Sequence, residues 1–273
     1  MARTTLGKHA SLATAIIAVS FVCAAPAARA QLWLDPADPA RSALGPAKAA
    51  GAVIWSHGRS VMSEDSDAPT PPYMGALRDG GWDTFRFNRR RASDTLGDSS
   101  AALAEIVHRL KLKGYRRVAL AGQSFGAFVS LMAAASDEVD AVIATAPAAY
   151  GSFSDFYDSW RSNATALYPL LERVRRARVM LFYFHGDDFD PGGRGAESRD
   201  ILAARQLDFA VIDQPPRLVT HWAAGTPLFG QLYSRCILGF LEAGHAAAQA
   251  GCPGEALWAA SGLDNATHTV ARN

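Results

Sequence analysis

Residues 116–129, RRVALAGQSFGAFV, are the stretch on which the reading of this chain turns. Val118, Ala119, Leu120 and Ala121 make an apolar run of the length of a short buried strand, and the small apolar residues from Gly126 onward suit the start of a packed helix. Between them lies Gly122-Gln123-Ser124-Phe125-Gly126, a G-x-S-x-G turn. Such a turn holds its serine on a strained corner with Oγ lifted off the end of the sheet, and its glycines let strand and helix pass closely. As five residues alone the pattern recurs by chance. Between an apolar strand and a helix it becomes specific.

Working outward, strands are expected over residues 51–56, 82–88, 139–144, 179–184 and 209–212, each apolar and short. Helices are expected over 73–79, 99–113, from the turn to about Ala135, over 169–177, 201–206 and 234–248. Strands alternating with helices at this rhythm imply right-handed crossovers and a largely parallel, doubly wound α/β sheet covered on both faces. In such sheets the chemistry collects at the carboxyl ends of the strands. His57, Ser124, Asp187, Asp188, Asp190 and His221 all follow an expected strand end. Residues 31–50, rich in Pro and Ala, read as an extended lead-in with room for an edge strand, 51–248 as the α/β domain and 249–273 as a tail. The stretch between Ala144 and Arg178 has room for one or two helices and not for a large lid.

At the amino terminus Arg3 and Lys8 precede an apolar run over 12–22, and Ala28-Arg29-Ala30 places small residues before a cut. This is the plan of a secretory signal over residues 1–30, so an exported, periplasmic or secreted protein is expected. The run is too short and alanine-rich for a comfortable membrane span, and no stable membrane insertion is expected once it is removed. Removing Arg3, Lys8 and Arg29 takes 27 basic residues to 24 against 26 acidic ones, a balance of −2. Nothing in that balance points to nucleic acid or an anionic membrane as partner. Two cysteines remain, Cys236 and Cys252, and an even pair in an exported chain reads as a disulfide joining the last helix to the tail.

An alcohol is a poor nucleophile at neutral pH and needs a base, itself oriented by an acid. Downstream of Ser124, HGDDFDP follows one expected strand and RLVTHWAAG the next. His221 lies just before the closing helix and is the candidate base. The candidate acids are Asp187, Asp188 and Asp190, of which the spare members read as turn residues capping backbone N–H groups. The three crowd too closely for a hard-cation site, whose ligands converge from spaced positions. No metal or cofactor is expected. Backbone N–H groups must wait for the oxyanion, and the candidates are those of Phe125, just after the serine, and Arg59, after the first strand. Phe153, Phe156, Tyr157, Trp160 and Trp222 are candidates to line a substrate pocket, or else ordinary packing.

GQSFG at 122–126, His57-Gly58, the aspartates at 187–190 and His221, in the order Ser, Asp, His, resemble the α/β-hydrolase superfamily, and within it the compact dienelactone-hydrolase-like esterases. The likeness spans roughly residues 50–242. It implies the α/β-hydrolase fold, with a mostly parallel sheet of about eight strands, and acyl transfer through an acyl-serine. It also favours Asp190 as the acid, because a D-P step commonly opens this loop in such enzymes, with Asp188 as the alternative. True dienelactone hydrolases use cysteine where this chain has Ser124, so the expected substrate is a small or medium carboxylic ester. A serine peptidase or amidase on the same fold, and a binding protein that lost catalysis, are the alternatives.

Overall fold

The computed structural model describes residues 1, 33–59, 69–89, 95–154, 160–190, 192–243, 252 and 257–259. The chain divides into two units, Met1–Gln31 and Leu32–Asn273. All of the first but Met1 lies outside the described residues, and so does the expected signal; Phe156 and Tyr157 lie outside them too.

Among the described residues eight strands form one sheet in the order β1-β3-β2-β4-β5-β6-β7-β8. The strands are β1 (Trp33–Pro36), β2 (Ala52–Ser56), β3 (Asp83–Asn88), β4 (Val118–Gln123), β5 (Ala141–Thr145), β6 (Arg178–Tyr183), β7 (Phe209–Asp213) and β8 (Leu257–Ala259). β2 to β7 run parallel, and the two edge strands pair antiparallel with β3 and β7. The helices are α1 (Pro72–Asp79), α2 (Leu96–Leu112), α3 (Phe125–Ala133), α4 (Ser162–Arg173), α5 (Arg194–Ala204) and α6 (Pro227–Ala243).

Successive strand residues face opposite sides of a sheet, and β4 shows how this makes two cores. Val118 and Leu120 pack with Leu103, Phe128, Leu171 and Leu202 from α2 to α5, whereas Ala119 and Ala121 pack with Leu77 of α1 and Phe240 of α6. The sheet is therefore buried on both faces, and β4 at its centre is buried throughout.

Helices α4, α5 and α6 each begin seven residues earlier than their sequences suggest, α5 at Arg194 rather than 201. α4 starts at Ser162 and runs through Pro169, which the sequence marks as a first-turn proline. α6 starts at Pro227, seven residues before Ser234, where Thr226 Oγ1 accepts from the Phe229 amide at 3.2 Å. Threonine before a first-turn proline is a regular N-terminal signal that composition alone does not isolate. Cys236, buried in α6, stands 4.6 Å from Cys252 between Cα atoms, a separation a disulfide spans.

Candidate active site

Ser124 sits between β4 and α3 with φ 56° and ψ −121°, a conformation that L residues rarely adopt and that is held only when the surroundings impose it. What imposes it is the close passage of three backbones. A Cβ on Gly122 would lie 2.2 Å from the carbonyl oxygen of Gly126, and one on Gly126 would lie 2.0 Å from that of Ser56. Helix α3 thus presses against β2, where only glycine fits. The Ser124 amide continues the β4–β5 ladder to the Thr145 carbonyl at 3.1 Å. Phe125 is the first residue of α3, so its N–H is one of the first-turn amides a helix leaves without an internal partner.

The residue opposite His221 is Asp187. Its two carboxylate oxygens lie 2.9 and 3.0 Å from His221 Nδ1, with both side chains buried. The physical reason is register. Beyond β6 and β7 the parallel pairing continues in a bridge between His185 and Val219, with the Thr220 amide donating to the His185 carbonyl at 2.8 Å. Two residues on from that bridge come Asp187 on one strand and His221 on the other, side by side.

This corrects the expectation for Asp190, and for Asp188 after it. Asp190 turns away to Arg194 at the start of α5, accepting from its Nε at 2.9 Å, and also from the Gly192 amide. Arg194 is wholly buried and carries a second bond to the Pro147 carbonyl at 2.6 Å. Asp188 accepts from the amide and hydroxyl of Ser154. Burial works against its ionisation, but the bonds from Ser154 and Ser152 and the neighbouring His221 outweigh it and hold the carboxyl below its usual range.

His221 and Ser124 are linked through Gln123, whose side-chain amide donates to the His221 carbonyl at 3.2 Å. Phe189 lies on the imidazole, with ring centroids 4.2 Å apart. Nε2 of His221, the nitrogen away from Asp187, is buried and has no hydrogen-bond partner among the described residues, so no bond to Ser124 Oγ is formed here. Catalytic hydrogen bonds of this kind are commonly long before substrate binds.

His57 follows β2 and is fully buried. Burial first, and then the Arg89 charge, push its imidazole down to about 3 against the contrary pull of a bond to the Gly58 carbonyl. It is neutral at any working pH. Arg59 lays its guanidinium 4.0 Å from the centroid of the Phe125 ring.

A cleft of about 750 Å³ opens beside these residues, bordered by His57, Gly58, Gln123, Thr145 and Trp222 and walled by prolines 69, 71, 72 and 227. Of the expected pocket residues, Trp222 borders it. Phe153 and Trp160 do not; they pack edge to face at 5.2 Å, with the Phe153 amide held by the Asp188 carbonyl. Sequence reasoning held Asp187 among three candidate acids but favoured Asp190 and then Asp188, and it missed Gln123, whose only signal is its place before the serine.

A mostly parallel sheet with this strand order, a serine at the β4–α3 corner and an Asp–His pair after β6 and β7 define the α/β-hydrolase fold. Solved structures agree. The chain is similar to a monoacylglycerol lipase from Paleococcus ferrophilus (TM-score 0.55, 14% identity, 78% of this chain and 99% of that one). It is also similar to an esterase from Pyrococcus furiosus (0.51, 14%, 71% and 83%) and to a puromycin-hydrolysing peptidase from Mycobacterium tuberculosis (0.54, 13%, 77% and 37%). At these identities the likeness establishes the fold. No protein-family model and no curated protein matches the sequence.

Proposed function

We propose that this chain is a serine hydrolase of small or medium carboxylic esters. Ser124 is the nucleophile, His221 the base, Asp187 the orienting acid, and the amides of Phe125 and Arg59 the oxyanion donors. The observation that carries the reading is the buried Asp187–His221 pair, tied by Gln123 to a serine in a strained conformation. His221 Nε2 takes the Ser124 proton as Oγ bonds to the ester carbon, and the carbonyl oxygen becomes the oxyanion. Collapse breaks the carbon–oxygen bond, and the leaving alkoxide takes its proton from His221. Water repeats the sequence on the acyl-serine and releases the acid. The cleft, within the size range of small-molecule sites, suits the apolar part of such an ester. The same reading has residues 1–30 removed on export, to periplasm or medium, and Cys236 joined to Cys252.

The test is hydrolysis of p-nitrophenyl acetate and labelling by a fluorophosphonate. Ser124→Ala is expected to lower kcat by at least about a thousandfold and abolish labelling. Unchanged turnover in that variant refutes the reading. Matched ester and amide substrates separate an esterase from an amidase.

A further inference from the structure

Arg89 follows β3 and is buried, and its contacts converge on Phe125 and on the carbonyls of His57 and Gly58, the second belonging to the peptide that carries the Arg59 amide. Its Nη1 donates to the His57 carbonyl at 2.6 Å and its Nη2 to the Gly58 carbonyl at 2.8 Å. Its guanidinium carbon also lies 4.9 Å from the centroid of Phe125. The Gly58 carbonyl has a second contact, to His57 Nδ1 at 2.7 Å. That contact is shorter than the 3.1 Å between Nδ1 and Arg89, so the proton is assigned to Nδ1 and directed at Gly58. One carbonyl oxygen therefore receives two donors.

The consequence follows from peptide geometry. In a planar trans peptide the carbonyl of one residue and the N–H of the next point in opposite directions, and no cis peptide occurs among the described residues. Holding the Gly58 carbonyl toward Arg89 and His57 fixes the Arg59 N–H on the opposite side. Glycine at 58 would otherwise leave this peptide free to turn over, because it lacks the Cβ that restricts other residues.

We propose that Arg89 is a positioning residue: it locks the Gly58–Arg59 peptide in the orientation that presents the Arg59 N–H to the oxyanion. The inference rests on the serine-hydrolase reading. The guanidinium fork matches two neighbouring carbonyls, and a lysine ammonium, a point charge on a flexible stem, does not reproduce it.

The experiment is Arg89→Lys, with active sites counted by fluorophosphonate titration so that misfolded protein is excluded. Losing one oxyanion donor lowers kcat by about a hundredfold or more, and that loss per titrated site is expected here with KM changed by less than about threefold. The Ki of an alkylboronic acid, whose tetrahedral adduct uses the same donors, should rise by a similar factor. The pH dependence set by His221 should stay in place. A merely structural role would reduce the number of titrated sites and leave kcat per site and the boronate Ki unchanged, and that result overturns the proposal. His57→Phe, which removes the other donor to the same carbonyl, should raise the boronate Ki by about tenfold, since Arg89 remains. An unchanged Ki there overturns it equally. Failure of Ser124→Ala to abolish activity would instead strike the underlying reading.

Discussion

Replacing Asp187 and Asp190 separately by Asn should divide chemistry from stability. The two carboxylates are three residues apart and both buried, yet their partners differ: His221 for Asp187, Arg194 for Asp190. With Asp187→Asn, His221 loses the acceptor that fixes its Nδ1 proton and stabilises the imidazolium, and kcat should fall by about a thousandfold or more. Asp190→Asn leaves that pair untouched but strands a wholly buried guanidinium without its counter-charge. Breaking a buried ion pair from one side costs about 3–5 kcal/mol. The lower end, about 3 kcal/mol, is expected because asparagine can still accept from Arg194 Nε, and for a chain of this size it lowers Tm by roughly 10 °C. The assay is urea denaturation of each variant, paired with kcat per fluorophosphonate-titrated site. Asp190→Asn should be less stable with near-normal kcat, and Asp187→Asn the reverse. A catalytic collapse in Asp190→Asn, with Asp187→Asn active, refutes the assignment of the acid.

Three further outcomes follow. His57 should make the fold acid-labile: its folded pKa of about 3 lies below the unfolded 6.5, so the unfolded chain binds the extra proton as pH falls between those values and stability is lost there. By pH 4 this amounts to about 3 kcal/mol relative to pH 8, present in the parent and missing from His57→Phe in urea titrations; parallel pH profiles would contradict it. Ser124→Gly should be more stable than Ser124→Ala by about 1 kcal/mol, because both lack the hydroxyl and only glycine relaxes at φ 56°; equal urea midpoints would mean the corner stores no strain. Reduction of the Cys236–Cys252 pair, 16 residues apart, should destabilise the protein by about 3 kcal/mol, checked by denaturation with and without reductant alongside a thiol count of the unreduced, denatured chain.

The Ser124 corner is legible in the sequence because the parts that mark it are local: an apolar strand, two glycines and the start of a helix within fourteen residues. The largely parallel, doubly wound sheet around it follows from the alternation of strands and helices, which is also a pattern-level property. The acid is not legible, because three aspartates occupy four positions and nothing local separates them. The choice is made by the His185–Val219 bridge, a pairing between strands that the sequence does not announce. The same holds for the start of α4: Pro169 reads locally as a beginning, and the long-range bonds of Asn163 to the Ala149 and Tyr150 amides instead seat an earlier turn of that helix.

Of the 27 basic residues only Lys8, Lys48, Lys111 and Lys113 are lysines, and the bias has a structural use. Among the described residues, arginines that donate to backbone carbonyls far from them in sequence include Arg89 to His57 and Gly58, Arg194 to Pro147, Arg117 to Ala50, Arg178 to Leu241 and Arg205 to Val174. They fall into two groups by the edge of the sheet they serve. Arg117 and Arg178 stand where β4 and β6 begin, and Arg205 holds the approach to β6, so all three brace the edge away from the serine. Arg89 and Arg194 stand at the carboxyl edge, Arg89 just after β3 with its bonds to the loop after β2, and Arg194 at the start of α5 with its bond to Asp190 in the loop after β6. A guanidinium suits both tasks because it spreads one charge over several planar donors and fixes a carbonyl's direction as well as its place. At the far edge that direction matters only to folding. At the carboxyl edge it decides where the Arg59 amide points and where the turn carrying Asp187 lies, so arginines in the same chemical role differ in consequence by position alone.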